Sequence, residues 1–302
     1  MTEMQKSRIS EILPYLPLFV ADEITRRHAA LGEDINEIRL RVNAPAVAMT
    51  NRSYQILAKD RKLTINEISE TFEKICGYSV YSHQSELARG FVTLPGGHRA
   101  GICGEAAFDK NGSRTVRYIS SVNIRVASEH IGCSREITAA LFHDGLCGAL
   151  VAGPPCSGKT TLLRDMARLL SSEPYGKKVA VVDERGEIAA MYRGEPRNRI
   201  GPFCDVLSGY PKGEGIAMAV RTLSPDIVVC DEIGGEGEAQ AVSDGVNAGV
   251  AILASIHARD GDELRRKRAY QILSATGAFG KIVFLKGGDS RCEVDRVEEA
   301  LS

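Results

Sequence analysis

Residues 153–161 read Gly-Pro-Pro-Cys-Ser-Gly-Lys-Thr-Thr, so Gly153, Gly158, Lys159 and Thr160 satisfy the spacing G-x-x-x-x-G-K-[ST]. This pattern constrains the fold because it works only between a buried strand and a helix. The preceding run, Cys147-Gly148-Ala149-Leu150-Val151-Ala152, is short and apolar, which predicts the strand. The following run places apolar residues at 162, 163, 166, 169 and 170, which is helical spacing.

The residue types then define the chemistry. Successive backbone N–H groups at a helix N-terminus form a concave site for phosphate oxygens. Glycine at 153 and 158 lets the backbone approach without a Cβ. The expected nucleotide-binding set is Gly153, Pro154, Pro155, Cys156, Ser157, Gly158, Lys159, Thr160 and Thr161. Lys159 supplies a point charge for the β- and γ-phosphates, and the Thr160 hydroxyl is a ligand for Mg²⁺.

A second strand signal, Ile227-Val228-Val229-Cys230, ends in Asp231-Glu232. Asp231 suits the metal and Glu232 suits polarisation of an attacking water. Taken alone, the run is also what a strand meeting solvent looks like. A third, Val179-Ala180-Val181-Val182-Asp183, continues into Glu184-Arg185-Gly186-Glu187. Parallel sheets place function at the carboxyl ends of strands, so Glu184 and Glu187 are candidates for metal or water positioning. Their alternative is ion pairing with Arg185 and Arg193. A fourth run ends in Ser255-Ile256-His257, where His257 is either a γ-phosphate sensor or a polar strand terminus.

From about residue 135 the chain alternates strands (147–152, 178–183, 226–231, 249–255 and 281–286) with helices, as a mostly parallel α/β domain does. Residues 1–134 read differently. A helical stretch over 1–30 is interrupted by Pro14 and Pro17, strand patterns follow over 35–58, and a helix over 64–76 starts at a cap on Thr64 or Asn66. Residues 89–126 are β-rich, with turns at Pro95-Gly96-Gly97 and Asn111-Gly112 and strands at 116–119 and 122–126. The expected fold is therefore α/β: a smaller α+β N-terminal domain, 1–134, and a P-loop NTPase domain, 135–302, whose core resembles the RecA-like, recombinase-type fold.

The net charge of −1 argues against nucleic acid as a partner, and the run Arg265-Arg266-Lys267-Arg268 reads as a solvated helix face. The 8 cysteines show no zinc spacing and read as reduced, buried thiols, with Cys156 as loop filler. No membrane-length apolar run or signal-peptide pattern occurs, so a cytoplasmic location without direct membrane insertion is expected.

With these segments assembled, the chain resembles the secretion ATPases of type II, type IV and pilus systems. The matching stretches are 153–160, 183–187, 231–232 and 255–257, with Arg221-Thr222-Leu223-Ser224-Pro225-Asp226 as the lead-in to the second acidic strand. Within that superfamily it resembles the stage III sporulation protein AA family. That likeness is carried by Glu37-Ile38-Arg39-Leu40-Arg41, Tyr78-Ser79-Val80-Tyr81-Ser82, Leu94-Pro95-Gly96-Gly97-His98-Arg99 and Ile119-Ser120-Ser121-Val122-Asn123-Ile124-Arg125. One departure stands out: secretion ATPases usually follow the catalytic Glu with Ile-Arg-Asp, whereas here Glu232-Ile233 leads into Gly234-Gly235-Glu236.

The resemblance implies a homo-hexameric ATPase that uses ATP and Mg²⁺. It implies a mother-cell protein, peripheral to the membrane through a platform protein like stage III sporulation protein AB. An arginine completing the site is implied too; Arg99 and Arg125 are candidates in the N-terminal domain, and Arg185 or Arg221 in the ATPase domain. Two other readings fit the motifs: an NTPase stimulated by nucleic acid, and an ATP-binding scaffold with little turnover.

Overall fold

A computed structural model describes residues 3–31, 35–50, 53–108, 114–127, 129–288 and 291–300. The expected Asn111-Gly112 turn lies outside the described residues. The chain divides into two compact units, Met1–Ser128 and Glu129–Ser302.

The first unit begins with α1 (Glu3–Ile12) and α2 (Leu18–Leu31). Pro14 opens a short 3-10 turn between them, and the Pro17 carbonyl accepts the first hydrogen bonds of α2. Proline lacks a donor and tolerates only the first turn of a helix, so this sequence makes two helices rather than one. There follow β1 (Ile35–Arg41), β2 (Ala46–Thr50), β3 (Tyr54–Leu57), α3 (Ile65–Ile75), the single turn α4 (Gln84–Leu87), β4 (Phe91–Thr93), β5 (Arg99–Phe108) and β6 (Arg114–Arg125). Thr64, not Asn66, caps α3, in a reciprocal capping box with Glu67. The expected strands 116–119 and 122–126 are one continuous strand, β6, because both halves pair with β5.

The six strands form one antiparallel sheet in the order β3-β2-β1-β6-β5-β4. Alternation along β2 buries Ala46, Ala48 and Thr50, and Ile9, Ile12, Val20, Ile24, Ile68 and Ile75 from the helices join the same core.

The second unit contains α5 (Arg135–Leu141), β7 (Ala149–Gly153), α6 (Lys159–Leu170), β8 (Val179–Asp183), a small hairpin of β9 (Met191–Tyr192) and β10 (Glu195–Pro196), β11 (Cys204–Ser208) and α7 (Lys212–Leu223). It continues through β12 (Ile227–Cys230), α8 (Glu236–Asn247), β13 (Ala251–His257), α9 (Gly261–Arg266), α10 (Arg268–Ala275), β14 (Lys281–Leu285) and β15 (Val294–Glu299). Seven strands run in the order β11-β8-β12-β13-β7-β14-β15, all parallel except β15.

Strand alternation sorts the interior onto two faces. Leu150, Ala152, Ala180, Val182, Val228 and Cys230 meet α7, α8 and α10 on one side. Ala149, Val151, Val179, Val181, Ile227 and Val229 meet α5 and α6 on the other. Strands β7, β8 and β12 are buried throughout, which explains their continuous apolar runs. The sequence pattern does not predict the edge strands β11 and β15. Neither holds a fully buried residue and their residue types are mixed, as expected where one edge or face meets water.

Residues 129–134 belong to the second unit because Asp165 of α6 holds them. Its carboxylate accepts the N–H of Gly132 at 3.0 Å, the N–H of Ser134 at 2.9 Å and the Ser134 hydroxyl at 2.8 Å.

Candidate functional site

In the sheet order, β7 is flanked by β13 and β14, while the chain leaving β7 through α6 crosses to β8. Strands β7, β8, β12 and β13 run parallel, so their carboxyl ends lie along one edge of the sheet, at the switch point where ligands bind in open α/β folds. Four expected segments therefore meet there: 153–161, 183–187, 231–232 and 255–257.

The loop between β7 and α6 has the glycine geometry its pattern requires. Gly158 has φ +96°, and a Cβ on it would lie 2.7 Å from the Cys292 backbone nitrogen. A Cβ on Gly153 would lie 2.6 Å from Ser157 Oγ. Cys292, which gave no sequence signal, covers the loop: its N–H donates to Ser157 O at 2.8 Å and its thiol donates to Gly158 O at 3.5 Å. Pro155 and Cys156 are exposed at the loop tip, and Thr161 is half-buried on the first turn of α6. Ser157 Oγ is buried without a hydrogen-bond partner.

Lys159 is 7% exposed. Its ammonium donates to Gly153 O at 2.9 Å, to Pro154 O at 2.9 Å and to His257 Nδ1 at 3.0 Å. Burial pushes its pKa below the ordinary lysine value, against the opposing pull of the Asp231 and Glu232 charges. Because Nδ1 accepts, the His257 proton sits on Nε2, which faces Glu232 Oε2 at 3.4 Å. Arg185, from the turn after β8, also approaches Glu232, at 3.6 Å.

The Thr160 hydroxyl donates to Asp231 Oδ2 at 2.9 Å. The other carboxylate oxygen accepts the Ser255 hydroxyl at 2.8 Å and the Glu232 N–H at 2.9 Å. Among the described residues, no group of three or more His, Cys, Asp or Glu gathers into a metal site. The chemistry of the donors still fits magnesium. A hydroxyl and a carboxylate are hard oxygen ligands, and Mg²⁺ characteristically takes one or two from protein and the rest from phosphate and water.

The acids after β8 separate by role. Asp183, 1% exposed, accepts the N–H groups of Glu187, Ile188 and Ala189 at 2.8–3.1 Å and so shapes the turn. Burial raises its pKa despite those bonds, and the Asp231 charge adds to the rise. The Glu187 backbone is tied on both sides, its carbonyl accepting from Arg164. Glu184 is exposed and faces Lys212 at 4.0 Å. Nothing in the sequence pattern singles out Lys212 or Glu238, because neither sits in a motif.

A cavity of about 280 Å³ opens beside Glu232 and His257 and is also lined by Gly234, Lys267 and Arg268. The basic run is therefore not simply a solvated helix face. The chain breaks between α9 and α10 at Lys267, which turns toward the cavity, while Arg265 stays exposed and pairs with Asp262 at 2.7 Å. Arg221 is exposed and donates to Ala217 O within its own helix. Arg99 and Arg125 stand in the first unit, opposite one another in the β5–β6 register, with Arg99 stacked 4.0 Å over the Phe91 ring.

Among solved structures, the chain is similar to the Yersinia pseudotuberculosis ATPase DotB, with a TM-score of 0.62 and 16% identity, over 96% of this chain and 81% of that one. It is also similar to the pilus retraction motor PilT with bound ADP, with a TM-score of 0.57 and 15% identity, over 87% of this chain and 76% of that one. These likenesses speak of the fold, a RecA-like P-loop architecture shared with secretion ATPases. Among sequences, it is 34% identical over 288 residues to the stage III sporulation protein AA of Bacillus subtilis (strain 168), covering 92% of this chain and 90% of that one. The family described as sporulation stage III, protein AA, matches residues 6–299, and the chain belongs to it.

Proposed function

We propose that this chain hydrolyses ATP with Mg²⁺ and uses the energy to drive a secretion-type assembly during sporulation. One observation carries the reading: Lys159, the Thr160–Asp231 pair and the His257–Glu232 pair meet at one sheet edge around the phosphate loop. The DotB and PilT folds support it, as does family membership.

In this reading the loop 153–161 wraps the phosphates. Lys159 moves its ammonium from the Gly153 and Pro154 carbonyls to the β- and γ-phosphate oxygens, and the unpartnered Ser157 hydroxyl gains an acceptor there. Thr160 and Asp231 hold the Mg²⁺, which when bound neutralises charge on the phosphates. Glu232 accepts a hydrogen bond from the attacking water and aligns it for in-line displacement, while His257 holds the Glu232 carboxylate and faces the γ-phosphate side. Glu184 and Glu187 border the same water.

The assembly we propose is a homo-hexamer in which an arginine, Arg99 or Arg125 from the N-terminal domain or Arg185 or Arg221 from the ATPase domain, completes the charge around the γ-phosphate. The ring works in the mother-cell cytoplasm against a membrane platform protein of the stage III sporulation protein AB kind, on the channel to the forespore. Among the described residues no helix is long and apolar enough to cross a membrane, which is compatible with docking through that partner.

Steady-state phosphate release by wild type and by Glu232→Gln tests the reading. Magnesium-dependent turnover that falls about 100-fold or more in the variant, with nucleotide binding kept, is the expected result. Equal turnover in the two proteins would remove Glu232 from the chemistry.

A further inference from the structure

We infer that Lys212 is a positioning residue that holds the Glu232 loop in its working geometry through a clamp formed with Glu238; this rests on the ATPase reading above. Lys212 is the first residue of α7 and only 7% exposed. A buried ammonium is costly unless its donors are satisfied. Its partners lie on the segments that follow β8 and β12 and on the first turn of α8. It donates to the Glu232 backbone carbonyl and to Glu238 Oε1 at 3.3 Å, and it faces Glu184 Oε2 at 4.0 Å.

Glu238 completes the clamp from α8. Its second carboxylate oxygen accepts the Gly234 N–H at 2.7 Å and the Gly235 N–H at 3.2 Å. Between them, the Ile233 N–H donates to Ser255 O at 2.8 Å, and the Ile233 side chain is buried. The peptide that follows Glu232 is thus fixed at its carbonyl by Lys212 and at its amide by Ser255, and the next two amides by Glu238. The orientation of that peptide sets the direction in which the Glu232 side chain leaves the backbone.

The segment held this way, Gly234-Gly235, is where this chain departs from the Ile-Arg-Asp of secretion ATPases. Two glycines have little conformational preference of their own, so an outside brace must supply what the local sequence does not. A neutral donor would satisfy the Glu232 carbonyl equally well. A cation also joins Glu184 to Glu238, so that the acids after β8 and on the first turn of α8 share one counter-charge and do not repel.

The experiment measures kcat, KM and binding of a fluorescent ATP analogue for wild type, Glu232→Gln, Lys212→Met, Lys212→Arg and Glu238→Gln, with folding checked by circular dichroism. Lys212→Met keeps the length and removes the charge; kcat should fall about 10- to 100-fold while KM and binding move less than about threefold. Lys212→Arg should recover part of the loss. In Glu238→Gln the amide oxygen still accepts from Gly234, but the amide nitrogen confronts Lys212 donor to donor, so kcat should fall in the same direction. If Lys212→Met does not fold, Glu238→Gln decides. Wild-type kcat in folded Lys212→Met, or in Glu238→Gln when that variant decides, overturns the clamp while leaving the ATPase reading intact. Equal turnover in wild type and Glu232→Gln overturns both.

Discussion

The Lys159 ammonium donates to His257 Nδ1 across 3.0 Å, joining residues 98 positions apart in the chain. The first residue of α6 is thereby linked to the last residue of β13, and through His257 Nε2 to Glu232. His257 is thus wedged between the cation expected to meet phosphate and the carboxylate expected to meet water.

That position predicts how two substitutions separate. Lys159→Ala should weaken nucleotide binding at least about tenfold, because one charge-assisted contact to phosphate is lost. His257→Ala should leave binding nearly unchanged and lower kcat by about 10- to 100-fold, because it frees the Glu232 carboxylate while Lys159 keeps its bonds to the Gly153 and Pro154 carbonyls. Nucleotide titration and steady-state kinetics on the two variants check this; equal effects on binding would count against the arrangement.

Asp165 is the joint between α6 and residues 129–134. Burial alone would raise its pKa, but the Ser134 and Gly132 N–H groups, Arg168 and the Ser134 hydroxyl together hold it below the usual aspartate value. A carboxyl depressed in the folded state stabilises above its unfolded pKa of about 4 and loses that contribution as pH falls through the folded value. Asp165→Asn should therefore destabilise the second unit by about 1–3 kcal/mol at neutral pH, with a smaller difference near pH 3. Urea denaturation at the two pH values measures it, and a pH-independent difference would refute the linkage.

His98 is fully buried in the first unit, with Nδ1 accepting the Ala127 N–H at 3.0 Å and Nε2 donating to Glu11 Oε2 at 2.9 Å. Burial depresses its pKa; Glu11 opposes this, and Arg8 adds to the depression. A second proton has nowhere to go, since Nδ1 already faces a donor. The unfolded chain therefore takes up the proton first as pH drops below about 6.5, and stability declines as pH falls through the window between that value and the lower folded one, by up to about 1.4 kcal/mol per unit. Imidazole resonances followed by NMR should show His98 titrating below the ordinary histidine midpoint; an ordinary midpoint would disprove it.

The cysteines should sort by burial. Burial pushes the thiols of Cys76 to about 11 and of Cys204 and Cys230 to about 12, so little thiolate exists at neutral pH. Cys156 and Cys103 are exposed. Iodoacetamide at pH 8 should label Cys103 and Cys156 first, and excess ATP should protect Cys156 alone. Peptide mass mapping reads the result; unchanged Cys156 labelling with saturating nucleotide would contradict nucleotide binding at the loop.

Local chemistry made much of this protein legible in its residues. The glycines and Lys159 of the phosphate loop, the apolar strands ending at Asp183 and Asp231, and the Thr64 capping box each depend on near neighbours, so pattern and structure agree there. Edge strands β11 and β15 did not announce themselves, because half-exposed strands mix residue types. Nor could the chain alone say which acid serves which purpose. Asp183 became a turn brace, Glu184 a partner of Lys212 and Glu232 a partner of His257 only when parallel strands brought their ends together. The same holds for Lys212, Glu238 and Cys292. Each lies outside any motif, and Lys212 and Cys292 reach the site across tens of residues of sequence because sheet order, which follows from packing two helical layers on one twisted sheet, sets who meets whom.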